Sequence, residues 1–408
     1  MSCTKLNTVL LGGKKGEDGF YRLQRNILFS PVGRLIVDAL PGECEVLHAR
    51  HESEPELEGV SSIVCPDGAD FAQMLQTAIS GMEGDVLVLS TPMPEVTTED
   101  YRAMIERYRS TGSAITTLTC GMIEDTWHMA VCSIDSLKAL LPHEPKSLTE
   151  TIVMATTWSE KVNTVRTHHR CIAVYDACDA YHAQKSLQHR INSELMRKGV
   201  SMLDPEYTYI SPYCRIGTGT TILPGTMIRP GSVVGCGCTI GPNTILECAS
   251  VGDRTSVNSS QIYESSVGCD ATVGPFAYIR PGCEVGDRTR IGDFVELKKS
   301  SIGNDTKVSH LTYIGDATVG ERVNFGCGTV VVNYDGYTKN QTIIGNDCFI
   351  GCNTNLVSPV SLGDRVLTAA GTTVTKNVPD GAMAVARARQ ENKDGWNDRR
   401  RRMHGQDT

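Results

Sequence analysis

No run of 18 apolar residues occurs in this 408-residue chain, so no membrane-spanning helix is expected. Basic charge is not in excess either: 39 Lys and Arg stand against 47 Asp and Glu, a formal net charge of −8. That balance excludes a chain-wide attraction to nucleic acid or to an anionic membrane. A secretory leader is not expected, because Met1-Ser2-Cys3-Thr4-Lys5 leads only into Val9-Leu10-Leu11. That run is too short, lacks a cleavage site and reads instead as a first buried strand. The 16 cysteines include no CxxC pair and no zinc-type spacing. They read as reduced thiols of a cytoplasmic protein, not as a disulfide framework or a metal cage.

The length suggests two or three domains, and 40% hydrophobic with 21% charged residues is ordinary for a globular protein. The composition changes near residue 205. Before it, helical and strand patterns alternate, which favours an α/β domain with a mostly parallel sheet. Asp85 to Leu89 reads as a buried strand. Thr98 to Ser110 reads as a helix with Thr98 as its cap and Tyr101, Met104, Ile105 and Tyr108 on one face. A second helix is expected from about Cys178 to Lys198, stopped by Gly199. The boundaries expected are 1–170 for the α/β domain, 171–205 for a linker helix, 206–382 for a second domain and 383–408 for a tail.

From residue 205 onward the sequence is periodic. Ile210, Ile216, Ile222, Ile228, Val234, Ile240 and Leu246 follow at six-residue steps. The phase is lost and then returns at Val267, Val273, Ile279, Val285, Ile291 and Leu297, and again from Ile344 to Val374. A period of six fits neither a helix nor a hairpin sheet; it is the hexapeptide signature of a left-handed parallel β-helix. The aliphatic residue points inward, and the glycine that often follows, as in Ile216-Gly217, Ile291-Gly292 and Ile350-Gly351, is read as permitting the turn. Cys214, Cys238, Cys283 and Cys348 fall where small corner residues belong, so core packing is their expected role. Asn333 to Thr342 breaks the period and should leave the coil as a loop. The basic run Arg399-Arg400-Arg401-Arg402 reads as a solvated tail.

Coils of this kind take about 18 residues per turn. Arg280 and Lys298 lie 18 residues apart, so they should stack in successive coils. Two stacked cations repel, which suits an anionic ligand such as a phosphate, although two solvated surface charges would give the same spacing. His310, in Ser309-His310-Leu311-Thr312-Tyr313, should lie near the same coil. An imidazole there can take a proton from an attacking amine, and a structural histidine remains the plainer alternative.

These residues sit within longer motifs. They are Pro275-Phe276-Ala277, Ile279-Arg280-Pro281-Gly282, Phe294-Val295-Glu296-Leu297-Lys298-Lys299, His310-Leu311-Thr312-Tyr313, Asn333-Tyr334-Asp335-Gly336, Ala369 to Thr375 and Lys393-Asp394-Gly395-Trp396. Taken together the stretch from Gly274 to Trp396 resembles the acetyltransferase domain of the bifunctional N-acetylglucosamine-1-phosphate uridyltransferase/glucosamine-1-phosphate acetyltransferase family. The helix carrying Asn192-Ser193-Glu194-Leu195-Met196 and the Asp204-Pro205-Glu206 segment resemble it too. The resemblance implies acetyl-CoA as co-substrate and glucosamine-1-phosphate as acceptor, with His310 as general base. Arg280, Lys298, Tyr313 and Asn324 would hold the amino-sugar phosphate. Cys327, Asn333, Tyr334, Cys352, Ala370 and Arg387 would contact acetyl-CoA. It also implies direct attack of the amine on the thioester, no Mg²⁺ for this half, and a homotrimer. Two positions depart from the pattern: Cys352 stands for a usual serine and Cys327 for a usual alanine, and a thiol is the weaker donor.

The N-terminal half departs further. Its first strand runs into Gly12-Gly13-Lys14-Lys15-Gly16-Glu17-Asp18, where the family's Thr-Arg pair is missing. Glu17 and Asp18 put negative charge where a triphosphate would lie, and Arg25 is the loose match to a family lysine. The family's two metal ligands, a carboxylate and an asparagine, align with Pro92 and Tyr175, neither of which suits a hard cation. Residues 1–170 are therefore expected to be a degenerate, Rossmann-like nucleotidyltransferase domain without uridyl transfer. The full bifunctional enzyme, an acetyltransferase for another amino sugar and a non-catalytic scaffold are the alternatives.

Overall fold

The computed structural model describes residues 5–120 and 127–406; the opening Met1-Ser2-Cys3-Thr4 segment lies outside them. Two compact units form, one of Met1–Cys214 with Met227–Pro230 and one of Arg215–Thr226 with Gly231–Thr408.

In the first unit the central apolar runs make strands buried on both sides, while the edge strands Ser61–Cys65 and Val162–Arg166 stay largely accessible. The main strands are β1 (Leu6–Leu11), β2 (Cys44–His51), β3 (Ser61–Cys65), β4 (Asp85–Leu89), β5 (Ile115–Thr119), β6 (Met129–Ser133) and β7 (Val162–Arg166). Side chains alternate across a strand. Accordingly Val86 and Val88 of β4 enter one core cluster, while Leu87 and Leu89 enter the other. Each cluster is closed by helices. Helix α1 (Phe71–Ile79) covers the first face through Leu75 and Ile79, and α2 (Thr98–Thr111) covers the second through Tyr101, Met104, Ile105 and Tyr108. Truncating fully buried Met104 to alanine would cost about 2–5 kcal/mol.

The sheet order is β3-β2-β1-β4-β6-β5-β7, parallel except for β6, which runs antiparallel to both neighbours. Strand β1 has β2 on one side and β4 on the other. The order therefore reverses at β1, where α/β sheets open a crevice beyond their strand ends. The cap of α2 is Thr97, not Thr98. Only Thr97 has an acid three residues on, and it forms a reciprocal capping box with Asp100. The long helix α3 (Ala177–Arg197) begins one residue before the expected start, capped by Asp176, and Gly199 follows it at φ 92°.

The second unit is a left-handed β-helix of short strands stacked in three parallel sheets. Every aliphatic residue of the six-residue series is buried except Ile216, which is half-buried. The loss of phase has a structural cause. Ile245 pairs with Gln261 and Val251 with Val267, so these coils are shorter than the 18-residue coil that pairs Arg215 with Val233.

The expected role of the glycines needs correction. Gly292 and Gly351 do not have positive φ. They are needed because a Cβ would lie 1.9 Å from Ser309 O at the first and 2.4 Å from Thr368 O at the second, so coil-to-coil approach selects them. Cys238, Cys283 and Cys348 are buried and Cys214 half-buried. The thiols of Cys238 and Cys348 each donate to a carbonyl of the next coil at 3.1 Å, to Gly252 and Gly363. Thr220 Oγ1 does the same to Gly235 at 2.8 Å, so cysteine here serves as a threonine-like corner residue. The helix Trp396–Met403 buries no residue.

Candidate active site

One corner of the β-helix carries His310. It ends the strand Lys307–His310, whose partner strand in the preceding coil, Arg290–Asp293, places Asp293 opposite it. His310 Nδ1 and Asp293 Oδ1 are 2.6 Å apart, and the imidazole remains 59% exposed. The hydrogen bond from His310 holds the Asp293 carboxyl below the usual carboxylate range. An ionised carboxylate on Nδ1 fixes the tautomer with a proton there and leaves Nε2 as an acceptor. Asp293 was missed in the sequence. Its distance of 17 residues from His310, one coil, was the available signal.

The neighbouring strands hold the cations. Tyr278 pairs with Glu296 and Ile279 with Leu297, which puts Arg280 and Lys298 at one position of successive coils. The stacking is as expected, but the repulsion between the two is relieved without a ligand, because each cation has its own carboxylate one coil on. Arg280 Nη1 meets Glu296 Oε1 at 2.8 Å, and Lys298 Nζ meets Asp316 Oδ2 at 3.1 Å. Arg280 stays accessible at 39%, whereas Lys298 is 9% exposed.

Asn333 Nδ2 also donates to Asp316, and it lies 3.4 Å from the Tyr313 hydroxyl. A Cβ on Gly315 would lie 2.3 Å from that hydroxyl, so the glycine makes room for Tyr313. Lys298, Tyr313, Asn333 and Asp316 therefore form one connected group.

The period break is a loop, as expected, and it starts from Asn333. Tyr334 and Lys339 form an antiparallel bridge. Asp335 accepts from the backbone N–H groups of Thr338 and Tyr337 and from Asn340 Nδ2. Those donors, the Thr338 N–H first, hold its carboxyl far below the usual range. The loop brings Lys339 against Lys298. The Lys298 cation beside it lowers the pKa of Lys339. Lys339 is a second residue that spacing did not reveal. Tyr334 turns its hydroxyl onto Gly336 O of its own loop at 2.7 Å. Asn324 pairs with Lys307 and Phe349, in the sheet of His310 and not in that of Lys298 and Tyr313.

The remaining candidates fall on the corner of His310, in later coils. Asn353 N donates to Cys327 O and Gly371 N to Cys352 O, each at 2.8 Å. Cys327, Cys352 and Ala370 thus form a column, and Arg387 Cδ lies 3.9 Å from where Gly371 would carry a Cβ. Cys352, Ala370 and Arg387 are exposed and Cys327 is half-exposed. The column is a shallow wall of main chain and small side chains, suited to an extended ligand more than to a compact one.

The first unit has a cavity of about 430 Å³ beyond the end of β1. Gly12, Gly13, Lys14, Arg22, Ser90, Thr91, Lys146 and Tyr175 are among its lining residues. Two expectations change here. Asp18 is not a free negative charge, because Arg25 pairs with it at 2.6 Å; and Arg25, only 7% exposed, is absent from the lining. Lys14, Arg22 and Lys146 supply the positive charge instead. The carboxylate in the lining, Asp70, is engaged as the cap of α1. Pro92 offers its carbonyl to Val174 N at 2.9 Å. This donor set does not fit a hard cation.

Residues 264–299 and 341–376 match the family model described as bacterial transferase hexapeptide (six repeats). The chain is 51% identical over 255 residues to the bifunctional protein GlmU of Clostridium perfringens, covering 62% of this chain and 56% of that one. It is 44% identical over 251 residues to the bifunctional protein GlmU of Halalkalibacterium halodurans, covering 61% and 55%. The chain spans little more than half the length of these curated relatives. Among solved structures it aligns with UTP-bound UGPase from Acinetobacter baumannii at 13% identity and a TM-score of 0.38, over 48% of this chain and 99% of that one. No helix among the described residues is long and apolar enough to cross a membrane. The β-helix thus carries the hexapeptide repeat of bacterial transferases, and the chain is similar to bifunctional GlmU proteins over 62% of its length.

Proposed function

We propose that the chain is a cytoplasmic acetyltransferase that moves an acetyl group from acetyl-CoA to the amino group of glucosamine-1-phosphate. The observation that carries this reading is the solvent-facing His310 held by Asp293 at 2.6 Å. An exposed imidazole with a carboxylate on one ring nitrogen suits a general base oriented by its partner. On this reading His310 Nε2 takes the proton of the amine as it attacks the thioester carbonyl, and the Asp293 carboxylate stabilises the imidazolium that forms. The protonated imidazole then returns the proton to the leaving thiolate. Arg280, Lys298 and Lys339 bind the sugar phosphate, with Tyr313 and Asn324 about the sugar. Cys327, Asn333, Tyr334, Cys352, Ala370 and Arg387 line the path of acetyl-CoA. An anion joining Lys298 and Lys339 relieves the repulsion between them, which supports a phosphate there. No Mg²⁺ is assigned to this half.

The test is thiol release from acetyl-CoA with glucosamine-1-phosphate, other amino-sugar phosphates and unphosphorylated glucosamine. Turnover confined to glucosamine-1-phosphate supports the reading; turnover with none of them ends it. The cation-lined cavity at β1 favours a second reading in which the first unit still acts on a nucleotide.

A further inference from the structure

Cys327 and Cys352 are 25 residues apart in sequence, and the loop that begins at Asn333 hides their relation. Phe325 pairs with Ile350, two residues before Cys327 and Cys352 respectively, and the amide of Asn353, next after Cys352, donates to Cys327 O at 2.8 Å. The two cysteines therefore occupy one corner position in consecutive coils. Stacked strands lie about 4.8 Å apart, within the roughly 4.4–6.8 Å Cα separation of disulfides. The corner is tight as well, since a Cβ on Gly326 would lie 2.5 Å from Cys352 N. Cys352 is exposed and Cys327 half-exposed, so small reagents reach the pair. By contrast Cys238, Cys283 and Cys348 are buried.

We propose that Cys327 and Cys352 are a redox couple that closes to a cross-coil disulfide and switches off the corner it spans. The oxidant is a low-molecular-weight disulfide. Cys352, as thiolate, attacks one of its sulfurs, forming a mixed disulfide and releasing one thiol. Cys327 then attacks the Cys352 sulfur, the Cys327–Cys352 bond forms, and the second thiol leaves. The two protein thiols give two electrons and two protons to the reagent, which departs as two thiols. The effect on turnover rests on the acetyl-CoA reading above. The bond removes both S–H groups from the donor wall and pins the turns that carry them.

The full chain is treated with oxidised glutathione, alkylated, digested without reductant and mapped by mass spectrometry, with acetyl transfer assayed in parallel. The expected result is a linked Cys327–Cys352 peptide, absent from Cys327→Ala and Cys352→Ser. Acetyl transfer should fall at least tenfold in step with the link and return on reduction. Separate alkylation of both cysteines, or glutathione adducts without the link, overturns the couple. A full yield of link with undiminished transfer overturns the switch. If reduced protein transfers no acetyl group, the functional reading falls, while the peptide map still decides the couple.

Discussion

His310 Nδ1 and Asp293 Oδ1 are 2.6 Å apart across two consecutive coils of the β-helix. Only the stacking of the coils brings the two together. If His310 is the base, His310→Ala should lower turnover by about 10²–10⁴, with acetyl-CoA binding little changed. Asp293→Asn should lower kcat by about tenfold or more while leaving KM for the acceptor near its wild-type value, because an amide can hold the ring but not favour its charged form. Steady-state kinetics with both substrates varied check both expectations. Near-normal turnover in His310→Ala removes it from the mechanism.

Arg280 and Lys298 should differ when removed, although both are expected to face the phosphate. Each loses a charge-assisted contact worth roughly 1.5–3 kcal/mol, so Arg280→Ala and Lys298→Ala should both raise the acceptor KM. The rise should be seen for glucosamine-1-phosphate and not for glucosamine. Only Lys298→Ala should also lower thermal stability, since it strips a partner from Asp316, which is 20% exposed. Glu296, at 38%, is better solvated when Arg280 goes. Equal losses with both acceptors would show that the cations do not read phosphate.

The coil period and the stacking of Arg280 on Lys298 were legible because a six-residue repeat states the fold directly. The carboxylates were not, because two of them sit diagonally and one lies in a shorter coil: Glu296, opposite Tyr278, is 16 residues from Arg280; Asp293 is 17 from its in-register partner His310; and Asp316, one residue past Lys298's partner Gly315, is 18 from Lys298. A fixed 18-residue rule finds only the last. Lys339 was hidden for another reason. Its position depends on a hairpin organised by Asp335, whose hydrogen bonds are local and follow no repeat. In the first unit the position of the α2 cap turned on one acid, Asp100, which selects Thr97 over its identical neighbour.

Glu95 offers a pH test of the first unit. Burial raises its pKa from 4.5 to about 7, against the lowering effects of the Ile172 N–H and nearby Arg190. The sign is opposite to the usual carboxylate. Between 4.5 and about 7 the folded form keeps a proton that the unfolded chain has released, so stability falls as pH rises through that window. Within it, stability should fall by at most about 1.4 kcal/mol for each step of one in pH. Glu95→Gln should therefore be stabilising above pH 7 and nearly neutral below pH 4.5, by urea unfolding at both. The same gain at both pH values would rule out titration as the cause.

An exposed apolar column stands beside His310. Phe276 and Phe294 stack with centroids 5.6 Å apart, and they and Leu311 are each more than half exposed. Isolated apolar residues on a surface need no explanation, but a stacked set at one corner favours a covered face. The covering expected is a second copy of the β-helix in a homotrimer, with the site completed between neighbours. Phe294→Asp should shift light scattering toward the 44.3 kDa monomer and lower acetyl transfer with it. A wild-type monomer with full activity would overturn this.

The first unit should release no pyrophosphate from UTP and N-acetylglucosamine-1-phosphate, even with Mg²⁺ supplied. Uridyl transfer needs phosphate binding and a metal held by oxygen ligands. The cavity beyond β1 meets the first need through Lys14, Arg22 and Lys146. It fails the second. Pro92 has no side-chain ligand, Asp70 is spent as a helix cap, and Arg22 lies over the Tyr175 ring at 4.8 Å. Binding without turnover is thus the outcome expected of this pocket. The corresponding variant, Lys14→Ala with Arg22→Ala, should weaken nucleotide binding measured by calorimetry and leave acetyl transfer unchanged. Mg²⁺-dependent pyrophosphate release would overturn the loss of uridyl transfer and restore the bifunctional reading.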